Sequence, residues 1–179
     1  KPRILSQGVT GFTLLETLVA LALIVGALAG PFTLATSGIF NAKLSKNKLT
    51  ALNLAAEGIE IIRQMRDTNF LAGETDWRGI SPGCSQPKCT ALSDGEYNVD
   101  ILRDKPGAVL ELGGTPLQYD SASGFYVKSG GTQTTPFTRT VRIASIAGRP
   151  EQMRVISKVE WEDSGNRSVQ LQEVLYDWR

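Results

Sequence analysis

Histidine is absent from the 179-residue chain, and cysteine occurs only twice. Without histidine the protein lacks the commonest general base and the commonest transition-metal ligand, and neither a Ser–His nor a Cys–His nucleophilic pair can form. Two cysteines are too few for the four protein ligands of a structural zinc site. The formal net charge of +1 favours neither nucleic acid nor an acidic substrate as a partner. The composition argues against most enzymes, and we expect no catalytic residues, no cofactor and no metal.

Both cysteines lie in one loop-like stretch, "SPGCSQPKCTA", as Cys84 and Cys89. Two cysteines that flank a proline-containing loop are typical of a small disulfide in an oxidising compartment. The short loop limits how much such a bond stabilises the fold. The sequence therefore predicts a Cys84–Cys89 disulfide, with a free or metal-binding pair as the alternative.

A long uncharged run lies near the amino terminus and extends from Thr17 to Phe40. About 20 helical residues span the hydrocarbon core of a bilayer, so the run is long enough to cross it. A cleaved secretory signal has a shorter apolar region of about 7–15 residues, whereas this run continues into helix-forming sequence. We predict one helix from about Leu14 to Asp67, with its first half in lipid and its second half on a globular domain.

Gly30 and Pro31 interrupt the first half of the predicted helix. Proline removes one helical hydrogen bond and crowds the preceding turn. In a membrane, nearby hydroxyl groups can satisfy a freed backbone group, and Thr33, Thr36 and Ser37 follow directly. We expect a kink or a loosened segment at this point and not the end of the helix.

The second half of the predicted helix is amphipathic. Its predicted apolar face comprises Leu52, Ala55, Ala56, Ile59 and Ile62, and its polar side comprises Asn53, Glu57, Glu60, Gln64 and Asp67. The spacing also predicts two helical charge pairs, Glu60–Arg63 and Arg63–Asp67.

Strand-like sequence dominates the remainder of the chain. After a loop-like stretch, "RGISPGCSQPKC", the strand-like runs are "EYNVDIL", "GFYVKS", "FTRTVRIASI", "MRVISKVEWED" and "SVQLQEVLYDW". They are rich in β-branched and aromatic residues, and "DSGN" at 163–166 predicts a hairpin between the last two. Residues 72–135 are the least informative. We predict an α+β fold in which the long helix packs on an antiparallel sheet of about four strands.

The first residues carry a recognisable motif. Residues 1–11 are mildly basic and end in glycine, and "FTLLETLVALALIV" follows directly. Gly11, Phe12 and Glu16 match the pattern of glycine, cleavage site, phenylalanine, three residues and glutamate. In its first third the chain strongly resembles the type IV pilins and the type II secretion pseudopilins. The resemblance implies a prepilin leader at 1–11, a transmembrane and polymerisation half-helix at 12–40, an amphipathic half-helix at 41–68 and a β-rich head domain at 69–179.

The resemblance also implies a processing event and a set of partners. A prepilin peptidase is expected to cleave between Gly11 and Phe12 and to N-methylate Phe12, so that the chain is a substrate and not a catalyst. The implied location is the bacterial inner membrane, with a single span and an extracytoplasmic head, and later a pilus or a periplasmic pseudopilus. The implied partners are other pilins or pseudopilins, the inner-membrane assembly platform and membrane lipid.

Glu16 is a carboxylate within the apolar segment. A charge at the centre of a membrane helix costs about 2.5–3.5 kcal/mol on insertion scales, so it should find a partner. Cleavage creates a cationic amine at Phe12, on the same helix or a neighbouring one, and methylation leaves that amine cationic. We interpret Glu16 as an assembly residue; the alternative is that it reaches the membrane interface. Basic residues flank the run on both sides, so the positive-inside rule leaves the orientation ambiguous, and the family places the amino terminus inside.

The ending "VISKVEWEDSGNRSVQLQEVLYDWR" is similar to the closing hairpin of minor pilins of the pilus-modification class and of minor pseudopilins. Trp161, Tyr176 and Trp178 are interpreted as core or edge residues, with a recognition surface as the alternative. The leading hypothesis is a minor pilin or pseudopilin, a structural subunit of a type IV pilus or related secretion filament. The alternative is a membrane-anchored extracytoplasmic binding domain that does not polymerise.

Two further sets of charged residues have a functional and an ordinary interpretation. A calcium site is conceivable from Asp94, Glu96, Asp100 and Asp104. Their spacing matches no EF-hand loop, so a solvated strand face is favoured. Uptake pili bind DNA, and a basic face is conceivable from Arg139, Arg142, Arg149 and Arg154. DNA binding is otherwise unsupported, and scattered strand-surface charge is the expected arrangement.

Overall fold

The structure is a computed structural model that describes residues 11–73, 76–80, 89–99, 111–112, 114–163 and 165–178. The chain divides into two compact units, Lys1–Ser45 and Lys46–Arg179. A single helix, α1, spans Leu14–Leu71. The strands in the described residues are β1 (Gly95–Asn98), β2 (Glu111–Leu112), β3 (Pro116–Asp120), β4 (Phe125–Val127), β5 (Gln133–Ile146), β6 (Arg149–Glu162) and β7 (Asn166–Tyr176). Most of the predicted leader, residues 1–10, lies outside the described residues.

Helix α1 ends one turn beyond the predicted boundary at Asp67. The amide of Ala72 donates to the carbonyl of Thr68 over 2.9 Å, and that of Gly73 donates to Phe70 over 3.0 Å. Gly73 has a φ of +77°, the left-handed conformation that commonly terminates helices and that glycine adopts without strain. The helix therefore ends at Leu71, before the "AG" pair, and not at about Asp67 as predicted.

Strand β5 organises the antiparallel sheet. One edge of β5 pairs with β6 along most of its length. Its other edge is shared, because β3 pairs with the first half of β5 and β1 pairs with residues 141–143. β7 extends the sheet beyond β6 in an unbroken register from Gln152↔Tyr176 to Glu162↔Asn166.

The predicted α+β fold with a helix on an antiparallel sheet is confirmed. The predicted hairpin over 163–166 is also present, and Gly165 adopts a φ of +126° in its turn. The estimate of about four strands was too low, because the described residues contain seven. β2 and β3 fall in residues 72–135, where the sequence shows no clear alternation.

The second half of α1 supplies the helix side of the core. Its buried residues are Ala51, Leu54, Ala55, Gly58, Ile59, Ile61, Ile62, Met65 and Asn69. The predicted apolar face was right for Ala55, Ile59 and Ile62 but wrong at its edge, since Leu52 is half-buried and Ala56 is exposed. The buried face is centred on Ala55, Gly58 and Ile62. Gly58 was missed because the prediction counted only apolar side chains, and glycine has none.

The core contacts fall into two clusters along the sheet. Near the carboxy-terminal part of α1, Ile62 and Met65 pack with β-branched residues of β5 and β6 such as Val141 and Val155. Nearer its start, the cluster contains Ala51, Leu54, Ala55, Leu117, Phe137, Val159 and Trp161. Trp161 is 5% exposed, which confirms the interpretation of this residue as a core residue.

Arg139 lies on the inner face of the sheet and is completely buried. Its Nη1 donates to the carbonyl of Leu54 over 3.2 Å, its Nη2 donates to the carbonyl of Val99 over 2.8 Å, and Nη1 lies 3.4 Å from Glu57 Oε1. The expectation of surface charge at this position was therefore wrong. Residue 139 shares its strand face with Phe137 and other buried residues, because successive side chains alternate between the faces of a sheet.

Helix and sheet are in close contact at Gly58. A Cβ atom at this position would lie 2.5 Å from Ser157 Oγ and 3.1 Å from both Arg139 Cδ and Val141 Cγ2. Real Cβ atoms are essentially never found as close to a neighbouring atom as this Cβ would be to Ser157 Oγ. Because residue 58 has no side chain, α1 can pack closely against the sheet beside the buried side chain of Arg139.

Candidate assembly site

The amino-terminal half of α1 exposes an almost uninterrupted apolar surface. All residues from Gly11 to Lys43 are exposed, including Leu14 at 78% and Phe32 at 72%. An 18-residue window within α1 has a mean hydropathy of 2.3, and none of that window is buried. Monomeric soluble proteins rarely expose large apolar patches. The helix is therefore a candidate membrane span, by length and composition.

The helix begins with a capped first turn. Thr13 precedes the helix, and its Oγ1 accepts the amide N–H of Glu16 over 3.3 Å, while its carbonyl accepts the amide of Thr17 over 3.1 Å. A threonine N-cap followed three residues later by glutamate is the sequence of a capping box. The T-x-x-E pattern in "TLLE" is visible in the sequence, so this role of Thr13 was detectable there.

The predicted cleavage site lies immediately before this cap. Gly11 and Phe12 are exposed and adopt neither helical nor strand conformation, and Phe12 is 79% exposed. Glu16 is the acidic residue of the first helical turn, where a carboxylate interacts favourably with the positive end of the helix dipole. Gly11, Phe12 and Glu16 thus lie within six consecutive residues at the start of α1.

Hydroxyl groups within the apolar half bond to the backbone of their own helix. Thr17 Oγ1 donates to the Leu14 carbonyl over 2.8 Å, Thr33 Oγ1 donates to Ala29 over 3.0 Å, and Ser37 Oγ donates to the carbonyl of Thr33 over 2.9 Å. Such bonds leave no hydroxyl donor to be satisfied by water, as a lipid environment requires.

The predicted interruption at Gly30 and Pro31 does not end the helix, because α1 continues through Pro31. The predicted kink stays a prediction. A Cβ at Gly30 would meet no atom within 4 Å among the described residues, apart from the neighbouring backbone of α1 itself.

The predicted disulfide falls partly outside the described residues, because Cys84 lies in the gap at 81–88. Cys89 is 1% exposed. Next to it, Thr90 is fixed to the end of α1, because its amide donates to Asn69 Oδ1 over 2.8 Å and its carbonyl accepts Asn69 Nδ2 over 2.9 Å. The Cys84–Cys89 bond stays a prediction.

The residues considered for calcium do not converge in the described part of the chain. Asp94 pairs instead with Arg78 Nη2 over 2.7 Å and accepts the amide of Ser145 over 3.0 Å. The hydrogen bond from Arg78, together with the Ser145 amide, lowers the pKa of Asp94 below its ordinary value. Asp100 and Asp104 lie outside the described residues. Among the residues that are described, no group of three or more metal-ligating side chains is found.

Arg63 joins the helix to the edge strand β7. Its guanidinium contacts Glu60 and donates two hydrogen bonds to Glu173, at 2.6 and 2.8 Å. The hydrogen bond with Glu173 raises the pKa of Arg63. The predicted Glu60–Arg63 pair is confirmed. Asp67, the other predicted partner of Arg63, accepts a hydrogen bond from Arg66 Nε over 2.9 Å.

The remaining surface candidates include two aromatic residues at the carboxy-terminal end of β7 and just beyond it. Tyr176 and Trp178 are exposed, at 49% and 66%, and the Trp178 ring lies 4.8 Å from that of Phe70. On the outer face of the sheet, Lys158 pairs with Glu160 over 2.7 Å. Acidic and basic side chains are thus interleaved on this face, which is not the continuous basic stripe typical of a nucleic-acid site.

Comparisons with protein-family models, with curated proteins and with solved structures found no match. The resemblance to pilins therefore rests on the residues of the chain itself.

Proposed function

We propose that the chain is a minor pilin or pseudopilin, a structural subunit of a type IV pilus or related secretion filament. The observation that carries this proposal is the exposed apolar helix, which is preceded directly by the exposed Gly11–Phe12 bond and contains Glu16 in its first turn. A helix of this length and hydropathy has no covering partner within its own unit in the described residues. Lipid before assembly, and neighbouring helices after assembly, would cover it.

The conformation at the proposed cleavage site suits proteolysis. Gly11 and Phe12 lie outside the helix, and the Thr13 cap fixes the start of the helix beyond them. Helix termini with satisfied caps resist extension because the N-cap residue adopts non-helical backbone angles. The Gly11–Phe12 bond would therefore remain accessible to a prepilin peptidase while the residues after Thr13 stay helical.

Cleavage would change the electrostatics of Glu16. In the precursor, Phe12 contributes a neutral amide, whereas in the mature chain it contributes a cationic amine one turn before the carboxylate. Because a charge in hydrocarbon is costly unless it is paired, the new amine, in the same or a neighbouring chain, would stabilise Glu16 in the filament. Processing would thereby convert a membrane anchor into an assembly element.

The test of processing is the mass of the amino terminus after the full chain is co-produced with a prepilin peptidase. We expect the loss of residues 1–11 and an added methyl group on Phe12. A peptidase-free culture provides the control. An intact leader in the presence of active peptidase would contradict the proposal.

The test of assembly uses two substitutions at Glu16. Glu16→Gln removes the charge and keeps a residue that suits the third position of a capping box, whereas Glu16→Ala removes both properties. We expect both variants to insert in the membrane and to enter filaments poorly, since both lack the charge. Normal incorporation of Glu16→Gln would refute pairing with the Phe12 amine. Processing without entry into any filament would favour the non-polymerising anchored domain.

A further inference from the structure

The strand β7 is an edge of the sheet and pairs only with β6 in the part of the chain that the structure describes. The backbone N–H and C=O groups that point away from β6 can therefore pair with a further strand. Native proteins commonly protect such an edge with a proline, a lysine, a bulge or a short strand. β7 has 11 residues without proline or lysine, and its register with β6 is unbroken. Its length and regularity thus suit strand addition.

The helix contacts only the carboxy-terminal end of this edge strand. Arg63 donates two hydrogen bonds to Glu173, and Arg66 Nη1 donates to the carbonyl of Tyr176 over 3.5 Å. Residues 166–172 form no hydrogen bond or ion pair with α1 within the described residues. We call residues 166–172 the open edge.

Two side chains of the open edge belong to the rim of the hydrophobic core. Val169 and Leu171 lie on the inner face of β7, where they are half-buried and pack against the core clusters. Their cross-strand neighbours on β6, Val159 and Ser157, are completely buried. A strand added beside β7 would place alternate side chains on this face and cover both rim residues. The open edge therefore favours a strand with apolar residues at two alternate positions.

Arg167 determines which charge an added strand should bring. It is exposed, lies on the same face as Val169 and Leu171, and forms no ion pair among the residues that are described. A charge on the inner face of an edge strand disfavours pairing with a strand that offers it no counter-charge. Opposite charges directly across an antiparallel pair are favourable, so an acidic residue opposite Arg167 would remove this obstacle. Glu173, the other charged residue of β7, is already paired with Arg63.

We propose that the open edge binds an extended segment of a partner protein as an additional antiparallel strand. Every strand pair in the described sheet is antiparallel, and antiparallel pairing is the more stable kind per residue. Along the partner chain, two apolar residues at alternate positions lie opposite Leu171 and Val169, and an acidic residue two positions later lies opposite Arg167. The recognised pattern is therefore apolar–x–apolar–x–acid.

A second copy of the chain in the same membrane does not fit the open edge. Antiparallel pairing of two β7 strands in one continuous sheet requires a twofold axis perpendicular to that sheet. Such an axis reverses the direction of α1 in the second copy, whereas two copies of one candidate membrane span that enter a bilayer from the same side run in the same direction. The occupant is therefore a segment of a different protein, and nothing in this binding mode requires a filament.

A synthetic peptide with the sequence of residues 166–176 is the probe for this site. It contains "VQLQE" at 169–173, which has the recognised pattern, and it has no membrane anchor. Binding of the labelled peptide to the full chain in detergent micelles is measured by fluorescence anisotropy, and amide hydrogen exchange locates the site. We expect saturable binding and slower exchange of backbone amides in the open edge.

A charge swap tests the register of the added strand. Arg167→Glu should weaken binding of the peptide by roughly fivefold, because a favourable charge pair across the strands is replaced by two like charges. A peptide with lysine in place of its glutamate should bind the Arg167→Glu chain better than it binds the parent. Arg142→Glu is the matched control, because Arg142 is also exposed but lies on the outer face of β5, and it should leave binding unchanged.

Each contrary outcome overturns the proposal in a recognisable way. One is the absence of peptide binding, or binding that leaves amide exchange in the open edge unchanged. Another is equal affinity of the peptide for the parent and for Arg167→Glu. A chain that is dimeric without peptide and already protected at 166–172 would assign the edge to a second copy. All of these outcomes leave the proposed function intact, since that function is tested by processing and by entry into filaments.

Discussion

The glycines of α1 show how differently the two halves of one helix are used. A Cβ at Gly26, Gly30 or Gly38 would meet no atom within 4 Å, whereas a Cβ at Gly58 would lie 2.5 Å from Ser157 Oγ. The second half thus finds its packing partners inside the chain. The first half has a larger apolar surface and finds none among the described residues of its unit. In the proposed function, lipid or other helices would cover this surface.

The charged side chains of the two halves show the same contrast. The amino-terminal half of α1, which is the candidate membrane span and is called the membrane half below, contains the carboxylate of Glu16, which is exposed and located at the capped end of the helix. The head half covers the guanidinium of Arg139, which bonds to two backbone carbonyls and lies near Glu57. The head supplies partners for its charge by folding, while Glu16 would acquire its partner through cleavage. Substitutions in the two halves should therefore affect different measurements.

Arg139→Ala should have the largest effect. The substitution leaves Glu57 without its buried partner and removes the donors to the Leu54 and Val99 carbonyls. Breaking a buried pair from one side typically costs about 3–5 kcal/mol. We expect a loss of that order in the free energy of unfolding, measured by denaturant titration of the full chain in detergent with near-ultraviolet circular dichroism.

Arg142→Ala is the control, since Arg142 lies three residues along the same strand and is exposed. Exposed substitutions of this kind usually change stability by no more than about 0.5 kcal/mol. Equal losses for the two variants would show that Arg139 does not hold the helix on the sheet.

Gly58→Ala should have the second largest effect, and Gly30→Ala is its counterpart in the membrane half. Overpacking a core typically costs about 1–3 kcal/mol, and the added methyl group at 58 collides with Ser157. At Gly30 the methyl group meets no neighbour, and alanine favours helix by up to about 1 kcal/mol over glycine. We expect head unfolding to be destabilised by the first change only, as measured by thermal denaturation.

A second substitution checks the cause of the loss at Gly58. Ser157 Oγ is buried and has no hydrogen-bond partner in the described part of the protein, so Ser157→Ala should cost little by itself. If the clash is the cause, Gly58→Ala combined with Ser157→Ala should regain part of the lost stability. Additive losses in the double variant would contradict the contact geometry.

Thr13→Ala should have a smaller and purely local effect. Loss of an N-cap side chain costs about 0.5–2 kcal/mol of helix stability, and Thr13→Ser keeps the hydroxyl acceptor. We expect faster amide hydrogen exchange at residues 14–17 in the alanine variant in micelles, with the serine variant close to the parent. Head unfolding should be unchanged in both, and a change there would show that the two halves are not independent.

Sequence patterns succeeded where side-chain periodicity reports directly on burial. The long helix, the antiparallel class of the sheet and the hairpin before β7 all follow from periodicity and from the "DSGN" turn. Two further features could have been predicted from the sequence. The T-x-x-E pattern indicates that Thr13 is an N-cap, and the alternation of residues in β5 indicates that Arg139 is buried. The strand β3 was not, because "PLQYD" begins with proline and does not alternate cleanly.

Sequence periodicity does not predict contacts between residues that are far apart in the chain. The close approach at Gly58 depends on Ser157, nearly a hundred residues away, and glycine gives no hydropathic signal. Likewise, the pairing of Asp94 with Arg78 depends on how a loop returns to the sheet. These features are set by tertiary structure, so only the folded chain shows them.

Substitution of Asp94 should have the smallest effect, and this effect on the stability of the head should depend on pH. Its pKa is lowered in the folded state by Arg78 and Ser145, so the folded protein binds a proton less readily than the unfolded chain. The resulting stabilisation is present above the ordinary aspartate pKa of about 3.9 and is lost as the pH falls through the lower folded value. Because the side chain is 53% exposed, the contribution should be at most about 1 kcal/mol.

Asp94→Asn should reduce head stability at neutral pH by that small amount, and the difference from the parent should shrink below about pH 4 as Asp94 in the parent becomes protonated. A difference that stays constant between pH 7 and pH 3, measured by denaturant titration, would show that the carboxylate charge does not fix this loop to β5.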